Sequence, residues 1–219
     1  TTGKPKGVLY SHRSTVLHSL MECAPDTFNV NSNMTLLLAV PMFHANAWGM
    51  PYSAAMAGTK LGMPGPKLDG ESLYELMRDE KVTFSQAVPT VWLMQFQYFD
   101  AHPEIDTLAL GLKRIGVGGA ATPRSMIERF ERDFGADFVQ GWGMTETSPI
   151  GVISNLLPKH RGLSKEEQTT VKMKQGRGVW GVELKIVDEA GARLPHDGQA
   201  FGHLHVRGPW IASGYFKSE

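Results

Sequence analysis

Cysteine is almost missing from this chain: Cys23 stands alone among 219 residues. An internal disulfide is thereby excluded, and the fold must be held by packing, for which 42% hydrophobic residues suffice. Neither sign of charge is in surplus, since 22 Lys and Arg balance 22 Asp and Glu. The electrostatic footprint of a nucleic-acid partner is therefore lacking. No apolar run approaches the roughly 20 residues that a membrane-spanning helix needs, and no charged-then-apolar leader opens the sequence. A reducing, cytoplasmic setting without a transmembrane segment is the expectation. Repeats and low-complexity tracts are absent too. The chain starts at Thr1 inside a glycine-rich loop and stops at Glu219 after a turn-like GYFKSE, which reads as a fragment of something longer.

What is present is an alternation of strand and helix signals. Val8, Leu9 and Tyr10 suggest a short strand, and Ser11 is placed to cap a helix running to about Met21. Residues 35–40 (TLLLAV) form a continuous apolar run closed by Pro41, the pattern of a strand buried on both faces. The uncharged stretch 42–57 suits a loop and helix lining an interior cavity. Strand signals at 59–63, 82–88 and 113–117 then alternate with helix signals at 72–81, 90–100 and after Thr122-Pro123, where Met126, Phe130 and Phe134 recur every fourth residue. Such alternation predicts an α/β fold, a mainly parallel sheet flanked by helices. Residues 157–174 are polar and irregular, a surface loop with a little helix. Beyond them Val182, Leu184 and Ile186, then Leu204 and Val206, alternate as in antiparallel strands. The expected division is an α/β nucleotide- and acyl-binding core over 1–175 and the beginning of a β-rich subdomain over 176–219.

The densest chemistry lies in QGWGMTET, residues 140–147. Gly141 and Gly143 are expected to turn the chain after a strand, leaving Trp142 as a flat face, Met144 beside it, Thr145 as a donor and Glu146 as a hard anionic ligand. A purine, a phosphate and a magnesium ion would use the indole, the hydroxyl and the carboxylate. The opening TTGKPKG could cradle phosphates through backbone N–H groups, hydroxyls and the Lys6 ammonium, although it departs from the GxxxxGK[ST] pattern. IGVGGAA at 115–121 fits G-x-G-x-x-A loosely and would suit a nicotinamide enzyme, or a plain strand-to-helix turn, or backbone bared to an adenine edge or acyl chain. His44 and Trp48, four apart, would share a face if their segment is helical. They are either satisfied core residues or the walls of a pocket for an apolar tail. His203 and His205 would share a strand face with no third metal ligand near.

Taken in order and spacing, TTGKPKGV, VPMFHANAWG, GVGGAATPRS, QGWGMTETSP and GVELKIVDEAG resemble the motifs of adenylate-forming enzymes. The resemblance runs from end to end and is nearest to medium- and long-chain fatty acyl-CoA synthetases. It implies part of the large N-terminal domain of such enzymes. It also implies a two-step reaction in which a carboxylate and ATP give an acyl-adenylate, and coenzyme A then displaces AMP. Carried over by motif, Thr1, Thr2, Gly3, Lys6 and Gly7 would form the loop handling the β- and γ-phosphates, with Thr1 and Glu146 serving magnesium. Trp142 would stack on adenine within the glycines at 141 and 143, next to Met144. Thr145 would donate to the α-phosphate, while Gly119, Ala120 and Ala121 would wall adenine and acyl group. His44 would lie by the reacting carboxylate, and Trp48 resembles the aromatic gate of the acyl tunnel. Amino-acid-activating relatives carry an acidic residue near the position of His44, and its lack here argues for a simple carboxylic acid. The family's ribose-binding Asp, hinge and small C-terminal domain fall outside this sequence, so the fragment alone is expected to be inactive. The resemblance leaves a homodimer of the full-length protein open. A noncatalytic fatty-acid-binding protein on the same fold is the alternative of a different class.

Overall fold

The computed structural model describes residues 6–217. Its centre is a seven-stranded sheet in the order β2-β1-β3-β4-β5-β6-β7. The parallel part comprises β2 (Lys60–Gly62), β1 (Thr35–Leu38), β3 (Phe84–Ala87), β4 (Arg114–Val117) and β5 (Asp137–Gly143). β6 (Ile150–Ile153) and β7 (Arg177–Gly178) extend it in antiparallel sense. β8 (Glu183–Val187) and β9 (His203–Arg207) form a separate two-stranded antiparallel sheet. The mainly parallel sheet between helices thus agrees with the sequence pattern.

Both faces of the sheet are covered, which is why β1 reads as a continuous apolar run rather than an alternating one. Leu37, Ile115, Val117 and Phe138 point to one core, under α4 (Gly70–Asp79), α5 (Pro89–Ala101) and α6 (Arg124–Phe134). In α6 the buried positions Met126, Ile127, Phe130 and Phe134 make one stripe, and Phe130 meets Phe96 of α5 at 4.8 Å between ring centroids. Leu36, Leu38, Phe84 and Val139 point to the opposite core, beneath α1 (His12–Cys23) and α3 (Met50–Ala57). The polar stretch after the main core contributes α7 (Lys165–Lys172), capped by Ser164 with Glu167 reaching back.

Three local expectations need correction. Val8–Tyr10 is no strand: Val8 makes only an isolated bridge to Tyr215. Ser11 does cap α1, its Oγ accepting from the Ser14 N–H, and the helix continues to Cys23. The cap of α6 is Pro123 rather than Thr122, whose buried hydroxyl finds no partner among the described residues. Gly141 and Gly143 do not turn the chain; both lie within β5, which pairs in parallel with β4 up to Gln140 and then antiparallel with β6. The register slips between Trp142 and Gly143, and the reversal follows at residues 144–148. Gly143 is obligatory there, because a Cβ would stand 1.7 Å from the Pro149 carbonyl oxygen.

Candidate functional site

A cavity of about 480 Å³ opens at the carboxyl ends of β3, β4 and β5, where open α/β sheets present ligands. Its walls include His44, Trp48, Gly119, Gly141, Trp142, Gly143, Met144 and Thr145, so motifs spread over a hundred residues meet in one space. The size suits a small organic ligand.

Trp48 reaches this cavity by an unusual backbone. The short α2 (Ala45–Trp48) is a left-handed turn: φ is +46°, +58°, +51° and +55° at Ala45, Asn46, Ala47 and Trp48, and Gly49 follows at +79°. The expected right-handed stacking of His44 on Trp48 is therefore wrong, although both line the cavity. Left-handed backbone costs a non-glycine residue about 1–2 kcal/mol. Here it is offset by complete burial of Ala47 and by the Asn46 amide donating to the Tyr52 hydroxyl at 3.0 Å. The indole lies over the β4–α6 loop: a Cβ on Gly118 would be 3.3 Å from Trp48 Cη2 and 3.1 Å from the Gly141 carbonyl oxygen. Gly119, at φ +79°, completes this shelf. Gly118 of the loose dinucleotide pattern thus makes room for an indole, which covers the backbone a pyrophosphate would have to approach, whereas Gly116 makes room for Gln86. Ala120 and Ala121 are exposed and do not line the cavity, contrary to expectation.

Thr145 and Glu146 sit at the mouth. The Tyr10 hydroxyl donates to the Thr145 carbonyl at 2.6 Å, and the Tyr215 hydroxyl donates to Glu146 Oε1 at 2.7 Å. Burial, then the Glu146 charge, pushes the Tyr10 phenol up to about 12. The hydrogen bond to Glu146, then its charge, raises Tyr215. Lys6 Nζ lies 4.9 Å from the Tyr215 ring centroid, a cation–π distance, and the Gly7 carbonyl accepts from the Phe216 N–H at 2.7 Å. Neither Lys6 nor Gly7 lines the cavity, and Glu146 stands outside it as well, but Tyr215 joins Lys6 to Glu146 on one rim. Thr1, Thr2 and Gly3 lie outside the described residues.

Below the mouth, α1 braces the strand that follows. The Ile150 N–H donates to His18 Nε2 at 3.1 Å, and the Trp210 indole N–H donates to the Ile150 carbonyl at 2.9 Å. Because Nε2 accepts, the imidazole proton sits on Nδ1, which faces Glu22 Oε2 at 3.6 Å. Burial lowers His18 to about 3 and holds the Glu22 carboxyl well above its ordinary range, against the opposing pull of the Ser53 hydroxyl donating to it. At neutral pH His18 is therefore uncharged. Glu22 lines the cavity, as does Gln86 of β3.

Sequence reasoning missed Tyr10, Tyr215, Glu22 and Gln86. The tyrosines carried no local signal, being 135 and 69 residues from their partners. Glu22 and Gln86 did: a His and a Glu four apart on a helix, and an amide inside an apolar strand. The absence of acidic residues beside His44 in sequence is also not an absence in space, since α1 brings Glu22 to the same cavity. His203 and His205 are both exposed, and no cluster of three or more metal-ligating residues exists among the described residues.

The sequence pattern of AMP-binding enzymes matches residues 1–216. A medium-chain-fatty-acid–CoA ligase of Ectopseudomonas oleovorans is 49% identical over the full chain and 40% of its own length. A 3-methylmercaptopropionyl-CoA ligase of Ruegeria lacuscaerulensis is 48% identical over 99% of the chain and 40% of its own length. Among solved structures, a long-chain-fatty-acid-CoA ligase of Archaeoglobus fulgidus superposes with a TM-score of 0.82 at 24% identity, over 100% of this chain and 42% of that one, which speaks for the fold. The chain spans about 40% of the length of the curated relatives it matches. With a match over residues 1–216, this chain belongs to the family of AMP-binding enzymes.

Proposed function

We propose that the protein containing this chain activates a carboxylic acid, of the fatty-acid class, with ATP and passes the acyl group to coenzyme A. The carboxylate oxygen attacks the α-phosphorus, the bond to pyrophosphate breaks, and an acyl-adenylate forms. The thiol sulfur of coenzyme A then bonds to the acyl carbon, the carbon–oxygen bond to AMP breaks, and the thiol proton leaves to solvent. The carrying observation is the convergence of Trp48, Gly119, Trp142 and Thr145 on one cavity with Glu146 at its mouth.

Two anions must be brought together, so this site has to supply positive charge and oriented donors. Trp142 offers adenine a face, the Thr145 hydroxyl would donate to the α-phosphate, and Lys6 would meet the outer phosphates from the rim. Thr1 and Thr2 would join Lys6 in the phosphate loop. Magnesium, when bound, would neutralise phosphate charge. A lone protein carboxylate such as Glu146 fits it, because this ion takes one or two carboxylates and fills its remaining positions with water and phosphate oxygens. Tyr215 would orient that carboxylate through Oε1. His44 and the Gly118–Gly119 shelf would hold the acid's reacting end, with Trp48 against its chain. A free Cys23 and a reaction that consumes ATP and coenzyme A suit a cytoplasmic setting. Among the described residues, no helix is long and apolar enough to cross a membrane.

Glu146→Ala in the full-length protein should abolish most acid-dependent pyrophosphate release, about 100-fold or more, as expected for one preorganised electrostatic contact. Near-normal release at saturating magnesium and ATP would overturn the assignment of Glu146.

A further inference from the structure

Four glycines line the cavity, and the fold itself calls for three of them. Gly119 sits at φ +79°, a Cβ on Gly143 would strike the Pro149 carbonyl, and one on Gly118 would stand 3.1 Å from the Gly141 carbonyl oxygen. Gly141 is different. It lies inside β5 with φ outside the left-handed range, and a Cβ there would meet only Phe28 Cζ and the Val152 carbonyl oxygen, each at 3.8 Å, an ordinary contact distance. Neither conformation nor crowding demands glycine at this position. Glycine weakens a strand interior, and it marks places where a ligand or another backbone comes close. No other backbone comes close here, so the room that a side chain would take belongs to the cavity.

Phe28 bounds that room. Its ring is 6% exposed and leans on Phe84, with centroids 5.8 Å apart, and on the bare strand at Gly116, where a Cβ would come within 3.6 Å of Cε1. The sheet face also matters, because successive strand residues point to opposite sides. Val139, and Ile153 paired with Gly141, belong with Phe28 to the core beneath α1 and α3, so Gly141 is bare on that face. Trp142, the next residue, directs its indole the other way, against Gly151, where a Cβ would be 3.2 Å from Cζ3. We infer that Gly141 and Phe28 determine which acids this site accepts: the chain of the acid lies over Gly141 and ends against the Phe28 ring, while adenine keeps to the Trp142 side. The inference rests on the reading of the cavity as the place of acid activation. Since the carboxylate must reach the α-phosphorus, the chain cannot slide outward from an obstacle at its far end. A single methyl at position 141 therefore lowers the longest chain accepted.

The test is acid-dependent pyrophosphate release by the full-length protein over straight-chain acids from butanoate to dodecanoate, with the KM for ATP measured alongside. Gly141→Ala should lower kcat/KM for the longest acid that the wild type uses about 10-fold more than for the shortest, the discrimination a single methyl provides in an apolar pocket. The KM for ATP should stay as in the wild type, and Phe28→Leu should move the limit toward longer acids. A change equal across the series, or none, would overturn the inference. So would a raised KM for ATP with the acid profile intact, which would put the nucleotide over Gly141. If Gly141→Ala fails to fold, Phe28→Leu decides, and an unaltered limit overturns the inference. If the wild type releases pyrophosphate with no acid of the series, activation of a fatty acid is refuted. Calorimetric titration with the same acids then decides on the inference, which stands if Gly141→Ala weakens binding of the longer ones selectively and falls if it does not.

Discussion

Glu22 gives the sharpest quantitative expectation. Its carboxyl is buried in the cavity floor at 1% exposure, with the Ser53 hydroxyl donating to it and a neutral His18 beside it. Burial raises its folded pKa well above 4.5, so between 4.5 and that folded value the native state keeps a proton that the unfolded chain releases. Stability from Glu22 is therefore complete below 4.5 and falls as pH rises, by about 1.4 kcal/mol per pH unit, until the folded pKa is passed. His18 has the opposite sign: lowered from 6.5 to about 3, it costs stability as pH falls through that window. Where the two windows overlap, the slopes oppose each other. Glu22→Gln cannot ionise yet preserves shape, so subtracting its unfolding free energy from that of the wild type removes His18 and every other group. Urea unfolding at intervals of pH upward from 4.5 should show this difference declining, about tenfold per pH unit in the folding constant until the folded pKa is passed. A flat difference from pH 4.5 upward would mean that the folded protein does not raise the Glu22 pKa, and the burial argument would fail.

Other expectations follow from the same geometry. Gly143→Ala places a Cβ 1.7 Å from the Pro149 carbonyl oxygen, a backbone atom that cannot rotate away, and should cost about 3 kcal/mol or more. A wild-type melting temperature would show that the β5–β6 irregularity is misdescribed. The phenolate absorbance lost in Tyr10→Phe, taken as a difference spectrum, should appear near pH 12 rather than 10; a difference that develops at pH 10 would contradict the burial of Tyr10. Trp142→Ala should raise the KM for ATP more than it lowers kcat, since stacking contributes to binding in ground and transition states alike. A change in kcat alone would show that adenine does not meet this ring.

The amino-acid sequence by itself determined what is local. Continuous apolar runs such as residues 35–38 became buried parallel strands, the every-fourth-residue stripe of Met126, Phe130 and Phe134 became the inner face of α6, and Ser11 capped α1 where it was expected. Period, capping chemistry and proline placement act over a few residues and are readable there. The ordered motifs were legible for the same reason, each being a short run at the end of a strand. Tertiary structure decided the rest. The left-handed turn at 45–48 contradicts local preference and persists because Ala47 is buried and Asn46 finds Tyr52. Gly141 and Gly143 stayed in β5 because β6 arrived to pair with them. Tyr10 and Tyr215 were brought to residues 145 and 146 from 135 and 69 residues away, and Glu22 entered a cavity whose other motifs lie far along the sequence. Such pairings depend on which surfaces the packed core brings together, and no window of neighbouring residues encodes that.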